Sequence, residues 1–90
     1  MIPEMLDPAQ RIISASVSGK KLFITGENFD RGAVILVDEK RQKTANDEQN
    51  PSTTLIGKKA GKKIAHGQMV TLQVRNRDGR ASEPISYVRP

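Results

Sequence analysis

The run Leu22-Phe23-Ile24-Thr25-Gly26-Glu27-Asn28-Phe29 constrains the fold of this chain more than any other segment. Its residues alternate with a period near two, which predicts a half-buried strand over residues 21–25 that stops at Gly26. Asn28 tolerates the left-handed backbone conformation better than most residues. We therefore predict a turn after the strand, and we expect this turn to return the ring of Phe29 to the core.

The same period of two recurs along the chain, and no convincing amphipathic helix interrupts it. The predicted strands are residues 11–17, 21–25, 33–37, 42–45, 53–59, 69–75 and 81–88. Residues 38–41 are predicted as a charged turn, and residues 60–68 as a long loop that Ile64 pins to the core. Asp78-Gly79 is the strongest hairpin signal. About seven short strands with frequent turns predict one all-β domain, a two-sheet β-sandwich, after an arm of residues 1–10.

Two motifs resemble those of a known family. Residues 22–29 match an early V-T-I-x-G-x-N-F pattern, and residues 76–79 match a late N-x-D-G hairpin. In these motifs the segment 12–87 resembles the IPT/TIG family of immunoglobulin-like domains. The resemblance implies an immunoglobulin-like sandwich whose relatives often occur in extracellular or cell-surface bacterial proteins. It also implies a core of Leu22, Ile24, Phe29, Ile35, Val37, Leu55, Val70, Leu72, Val74, Ile85 and Tyr87.

The chain departs from the bacterial members of that family at two prolines. It has His66 where they tend to read I-A-P-G-Q, and Arg77 where they read N-P-D-G. Each departure replaces a rigid residue that lacks an N–H with a large side chain able to make polar contacts. Two explanations stay open: neutral drift, and selection for binding in an engineered variant of a bacterial scaffold.

The composition argues against catalysis. The chain has no cysteine and a single histidine, His66, so the usual three or four ligands of a zinc site are missing. No nucleophile motif surrounds His66, and no glycine-rich phosphate loop precedes a helix. Asp38 and Glu39 are interpreted as charges of a turn and not as a general acid/base pair, because neighbours on an extended chain would point to opposite faces. We expect no enzymatic activity, no metal and no cofactor.

The positive charge is unevenly distributed along the chain, whose net charge is +5. Residues 58–80 contain seven basic residues and one acid, whereas residues 1–57 contain seven basic and eight acidic residues. Such a segment either keeps a protein soluble or attracts an acidic partner. Three aromatic residues provide no stacking platform and no recognition helix is predicted, which argues against nucleic acid. No apolar run reaches about 20 residues, so we expect no membrane partner. Residues 1–8 lack the basic start of a signal peptide, so we expect that this segment does not itself drive export.

The candidate contact residues for a partner protein are Arg75, Arg77, Arg80, Lys62, Lys63, His66, Val34 and Leu36. The arginines of the hairpin 75–80 are the main candidates because arginine binds carboxylates through two hydrogen bonds. Lys62 and Lys63 are expected to act through long-range attraction. His66 lies at the opposite end of the strand 69–75 and is a weaker candidate.

Val34 and Leu36 are expected to face outward if their neighbours in the strand face the core. Loops or the arm residues Ile2, Met5 or Leu6 would cover them, or they would form an exposed apolar patch that marks an interaction surface. We therefore expect a non-catalytic module, monomeric alone, that docks on an acidic protein surface or blocks an enzyme's acidic cleft as an inhibitor. The alternative is a spacer domain of a bacterial surface protein, which would form no complex on a sizing column.

Overall fold

The computed structural model describes residues 9–90, which form two antiparallel four-stranded sheets. The strands are β1 (Arg11–Ser18), β2 (Lys21–Glu27), β3 (Val34–Val37), β4 (Lys40–Arg41), β5 (Thr44–Asn46), β6 (Thr54–Gly57), β7 (Met69–Arg75) and β8 (Ile85–Val88). A short 3₁₀ helix, Ala60–Lys63, lies between β6 and β7. The predicted all-β sandwich is confirmed, with eight described strands instead of about seven. The predicted lids Ile2, Met5 and Leu6 lie outside the described residues.

Sheet A has the strand order β1-β2-β6-β5, and sheet B has the order β4-β3-β7-β8. Alternate residues of each strand face the space between the sheets, because successive side chains of a strand point to opposite sides. The core there contains Leu22, Ile24, Phe29, Ala33, Ile35, Val37, Leu55, Ala60, Ile64, Val70, Leu72 and Val74. Ile85 and Tyr87 of the expected core are only partly buried and pack against it.

The turn after β2 forms as predicted, but the strand continues one residue beyond Gly26. A Cβ atom on Gly26 would collide with the carbonyl of Arg11 and would lie 2.5 Å from Cζ of Phe29. Gly26 is therefore required for close packing under the ring and does not end the strand. Asn28 has a φ of 63°, and Phe29 is 4% exposed, as the turn motif predicts.

The segment predicted as a charged turn is a hairpin that contains the additional strand β4. Asp38 and Glu39 form its two-residue loop with positive φ angles of 48° and 70°. Loops of this kind usually contain asparagine or glycine, so the sequence pattern does not indicate a hairpin. The N–H of Asp38 donates to the carbonyl of Thr71 at 2.9 Å, and its Oδ1 accepts from the N–H of Thr71 at 2.8 Å. These two bonds hold the strained loop against β7.

Strand β8 begins at Ile85, four residues later than predicted. Pro84 has no N–H to donate to the sheet, which explains why regular pairing starts after it. Before it, Ala81 forms an isolated bridge with Arg75, and Oγ of Ser82 accepts a hydrogen bond from the N–H of Val74 at 2.9 Å. The hairpin after β7 therefore stays closed although the strand ladder is interrupted.

Candidate protein-binding face

The outer face of sheet B brings together several of the predicted contact residues. Val34 pairs with Arg75, and Leu36 pairs with both Arg41 and Gln73. Directly opposed residues of neighbouring strands project on the same side of a sheet, and the other residues of β3 lie in the core. Aliphatic and arginine side chains are therefore neighbours on the outer face of this sheet.

A cleft of about 300 Å³ opens on this face where β7 leads into the hairpin 75–80. We call it the arginine cleft; its lining residues are Gly32, Val34, Leu36, Arg41, Arg75, Asn76, Arg77 and Gly79. All three of its arginines are exposed. The ion pairs among residues 9–90 are Arg11–Glu27 at 2.8 Å and Arg80–Asp78 at 2.7 Å. Within the described part of the chain, the arginine side chains of the cleft thus form no ion pair with an acid.

Leu36 does not form an exposed apolar patch, because only 3% of it is accessible to solvent. Val34 is half-buried. Arginine lays its aliphatic stem along apolar surface while its guanidinium stays in water, and Arg41 is a cross-strand neighbour of Leu36. The exposed-patch explanation is therefore wrong for Leu36. The cleft instead has an apolar floor and a cationic rim.

Asn76 joins the two motifs that carry the family resemblance. It is 4% exposed, its Oδ1 accepts from the N–H of Asp30 at 3.0 Å, and its Nδ2 donates to the carbonyl of Asn28 at 3.2 Å. The backbone N–H of Arg77 donates to Oδ2 of Asp30 at 3.3 Å. These bonds hold the hairpin 75–80 against the turn after β2, and they place Arg77 at the rim of the cleft.

Gly32 makes room for the side chain of Arg77. It has a φ of +87°, and a Cβ atom at this position would lie 3.0 Å from Cδ and 3.3 Å from Cγ of Arg77. A larger residue would therefore be strained in its backbone and would also press on the arginine stem. The contact between these two residues positions the guanidinium group over the cleft.

Arg80 is held by a carboxylate of its own hairpin. Its backbone N–H donates to Oδ1 of Asp78 at 2.9 Å, and its Nε donates to Oδ2 at 2.7 Å. These two bonds, the backbone one first, lower the pKa of Asp78 from its ordinary value. Of the three hairpin arginines favoured by the sequence, the structure thus places Arg75 and Arg77 in the cleft and Arg80 beside an acid.

Lys62, Lys63 and His66 lie near the opposite end of β7, as the sequence predicts. The seven residues of β7 separate its two ends by about 20 Å, at about 3.4 Å per residue. Both lysines are exposed on the 3₁₀ helix, and Nδ1 of the exposed His66 lies 2.9 Å from the carbonyl oxygen of Pro90. The basic segment 58–80 therefore does not form one face, but is divided between two ends of the sandwich.

Sequence reasoning missed Arg41, Asn76 and Gly32. Arg41 was assigned to a turn, although a two-residue loop at 38–39 places residue 41 directly opposite Leu36. A two-residue loop predicted at 38–39 would have placed Arg41 on the outer face of sheet B. Asn76 was read as part of a turn, and nothing in the pattern showed that its amide bonds a turn 46 and 48 residues away.

Comparison with known proteins identifies no relative: no family model, no curated protein and no solved structure matches the chain. The family resemblance thus depends on the two motifs alone. Within residues 9–90, no group of three or more His, Cys, Asp or Glu side chains is placed to hold a metal ion. The same part of the chain contains no helix that is long and apolar enough to cross a membrane.

Proposed function

We propose that this protein is a non-catalytic binding module that holds an acidic segment of another protein in the arginine cleft. The observation that supports this proposal is the convergence of Arg41, Arg75 and Arg77 around the floor of Val34 and Leu36. Three cations in one cleft repel each other, and no ion pair within the described part of the chain offsets that repulsion. The nearby carboxylate of Asp30 accepts from the backbone N–H of Arg77 and forms no ion pair with its guanidinium. A bound carboxylate would offset the repulsion.

The chemistry of the cleft favours a carboxylate beside an apolar side chain. A guanidinium group donates two parallel hydrogen bonds to a carboxylate, and arginine is enriched among the residues that dominate binding energy. The half-buried Val34 and the aliphatic stems of the arginines, above the buried Leu36, suit an aliphatic or aromatic neighbour of that carboxylate. A volume of about 300 Å³ is at the small end of ligand sites, so the cleft accommodates a few side chains of a larger partner.

We also propose that the chain is an IPT/TIG-like immunoglobulin domain. This is supported by the contact between its two motifs, because Asn76 of the N-x-D-G hairpin donates to the carbonyl of Asn28 in the G-x-N-F turn. If the acidic segment of the partner borders an active site, the bound module blocks that site and acts as an inhibitor.

The test is a selection from a random peptide library displayed on phage, followed by surface plasmon resonance with the selected peptides. We expect enrichment of Asp and Glu next to an apolar residue. Arg77→Ala should weaken binding by about 2–5 kcal/mol, mainly through faster dissociation. Arg80→Ala is the matched control from the same hairpin. It should change binding by less than about 1 kcal/mol, because the guanidinium of Arg80 already forms an ion pair with Asp78.

Lys62→Ala and Lys63→Ala should slow association and flatten its salt dependence without changing dissociation, because these exposed charges lie near the end of β7 that is remote from Arg75 and Arg77. Selected peptides without acidic enrichment, or equal binding by the wild type and by Arg41→Ala and Arg77→Ala, would refute the proposal. A spacer domain predicts that no peptide is selected at all.

A further inference from the structure

The fold gathers every lysine of the chain at one end of the sandwich. This lysine end consists of the β1–β2 turn, the residues that follow β6, and the starts of β4 and β5. Its lysines are Lys20, Lys21, Lys40, Lys43, Lys58, Lys59, Lys62 and Lys63, and all eight are exposed. Two hydrogen bonds connect the segments: the N–H of Gly61 donates to the carbonyl of Lys20 at 2.9 Å, and the N–H of Lys58 donates to that of Lys43 at 3.1 Å.

The charge of the described residues is therefore concentrated at this end. Arg89 adds a ninth basic residue there, since its guanidinium donates to the carbonyls of Gly61 at 3.2 Å and Ile64 at 2.6 Å. The acids of this end are Asp38 and Glu39, so nine basic residues against two acids leave a net charge of +7. The remaining six arginines and six acids among residues 9–90 cancel. A charge spread only for solubility would not be divided in this way.

Two exposed apolar side chains lie at the rim of the lysine end. Met69 opens β7 and is 65% exposed, and its cross-strand partner Val88 is 53% exposed. They project from the outer face of sheet B, because the residues next to them in each strand face the core. Their backbone lies beside the loop that follows the 3₁₀ helix, as the N–H of Gly67 donates to the carbonyl of Arg89 at 2.7 Å. Clustered cations thus have an exposed apolar pair next to them.

We propose that the lysine end docks on the anionic surface of a lipid bilayer, with Met69 and Val88 entering the headgroup region. Each lysine near an anionic bilayer is attracted by its surface potential, and stable attachment needs a second signal such as a buried apolar group. The lysine end has both the clustered lysines and an exposed apolar pair, Met69 and Val88. The expectation of no membrane partner depended on hydropathy along the chain, which does not show where exposed charges meet in space.

The alternative polyanion, nucleic acid, fits the lysine end less well. The three aromatic residues of the chain are buried or half-buried, so none is presented for stacking on a base. Among residues 9–90, the helix of this end is the 3₁₀ helix Ala60–Lys63, whose four residues are too short to read a groove as a recognition helix does. The ammonium group of lysine is a compact charge and lacks the two parallel N–H donors of the arginine guanidinium. Lysine therefore suits a diffuse anionic surface more than a defined carboxylate. This inference does not depend on the function proposed for the arginine cleft.

Co-sedimentation of the protein with vesicles tests the proposal. One set of vesicles is phosphatidylcholine alone, and the other contains one third phosphatidylserine. We expect binding to the anionic set only, with an affinity that falls as salt rises. Changing both Lys62→Gln and Lys63→Gln should weaken binding about 25-fold, since one charge near the surface changes the affinity about fivefold.

The matched control changes Arg31→Gln and Arg80→Gln, which lowers the net charge equally at the other end and leaves the arginines of the cleft in place. This control should bind within about twofold of the wild type. An equal loss in both double variants would show that net charge alone matters, and this would overturn the assignment of the lysine end. Since all four side chains are exposed, thermal melts should show that each variant is folded.

The chain has no cysteine of its own, so a cysteine introduced by substitution can be labelled at one site. A fluorescent dye at that site reports which part of the protein faces the bilayer. An environment-sensitive dye on Met69→Cys should shift to the blue on anionic vesicles, whereas the dye on Arg31→Cys should not. Identical behaviour of the two dyes would overturn the role of Met69 and Val88. A labelled DNA duplex is the last arm: binding to the duplex without binding to anionic vesicles would assign the lysine end to nucleic acid and overturn the proposal.

Discussion

Replacing Phe29 with alanine tests how the turn after β2 builds the core. The ring is 4% exposed and packs so closely on Gly26 that a Cβ atom on the glycine would lie 2.5 Å from its Cζ. Removal of a phenylalanine ring buried to this extent costs about 3–5 kcal/mol, because the transfer free energy is lost and a cavity remains. At about 0.05–0.15 kcal/mol per residue, a domain of 90 residues has a stability of about 5–13 kcal/mol. Phe29→Ala should therefore remove a large share of the free energy of unfolding.

The matched control is Phe23→Ala, which removes the same side chain from β2 on the other face of sheet A. Phe23 is half-buried and pairs with Ser16 and Ile56, so its loss should cost about 1 kcal/mol. Urea denaturation followed by far-UV circular dichroism measures both changes, and equal m-values show that the variants unfold alike. A loss for Phe29→Ala below about 1 kcal/mol, or no larger than that of the control, would refute the placement of this ring in the core. If Phe29→Ala does not fold, Phe29→Leu gives a measurable smaller loss.

Two further predictions concern the hairpin 75–80. Asn76→Ala should lower the free energy of unfolding by about 1–3 kcal/mol, because it leaves the N–H of Asp30 and the carbonyl of Asn28 without this partner. Urea denaturation measures this loss, and a variant that unfolds like the wild type would contradict the prediction. The contact of Asp78 with Arg80 lowers the folded-state pKa of the carboxyl, so its stabilising contribution is present above the ordinary pKa and is lost as the pH falls through the lowered value. A titration of the Asp78 side-chain carbon by NMR should therefore have its midpoint below that of an unstructured peptide, and a midpoint at or above the peptide's would contradict the prediction.

The strands that the sequence predicted well are those whose alternation and turn chemistry agree. Residues 69–75 were predicted as a strand and form β7 with the same bounds, because apolar and polar residues alternate strictly from Val70 to its end. The hairpin at Asp38 and Glu39 was missed because tertiary bonds to Thr71 hold a loop that local preference disfavours. β8 was predicted too early because the alternation was followed across Pro84, whose missing N–H interrupts the sheet.

The candidate site was predicted only in part because a cleft depends on strand register. The sequence indicates Val34 by its outward position in a strand. It indicates Arg75 and Arg77, separately, by their place in a basic segment. Their convergence required knowing that β3 pairs with β7, which residues far apart in the chain determine. A shift of one residue in this register would have sent Arg75 to the opposite face, so no local pattern is sufficient to predict the cleft.

The distribution of charge over the surface is a second feature that local sequence patterns do not predict. A basic segment that is continuous in sequence, residues 58–80, is divided by β7 into two patches about 20 Å apart. That distance is more than twice the Debye length of about 8 Å at physiological salt, so Arg77 is largely screened from Lys62 and Lys63. Arg41 of the cleft, in contrast, directly follows Lys40 of the lysine end. The lysine end also recruits Lys20, Lys21, Lys40 and Lys43, which lie in a part of the chain without net positive charge. Arginines therefore dominate at one end and lysines at the other, and the two ends are suited to different chemistry: defined carboxylates in a cleft, and a diffuse anionic surface.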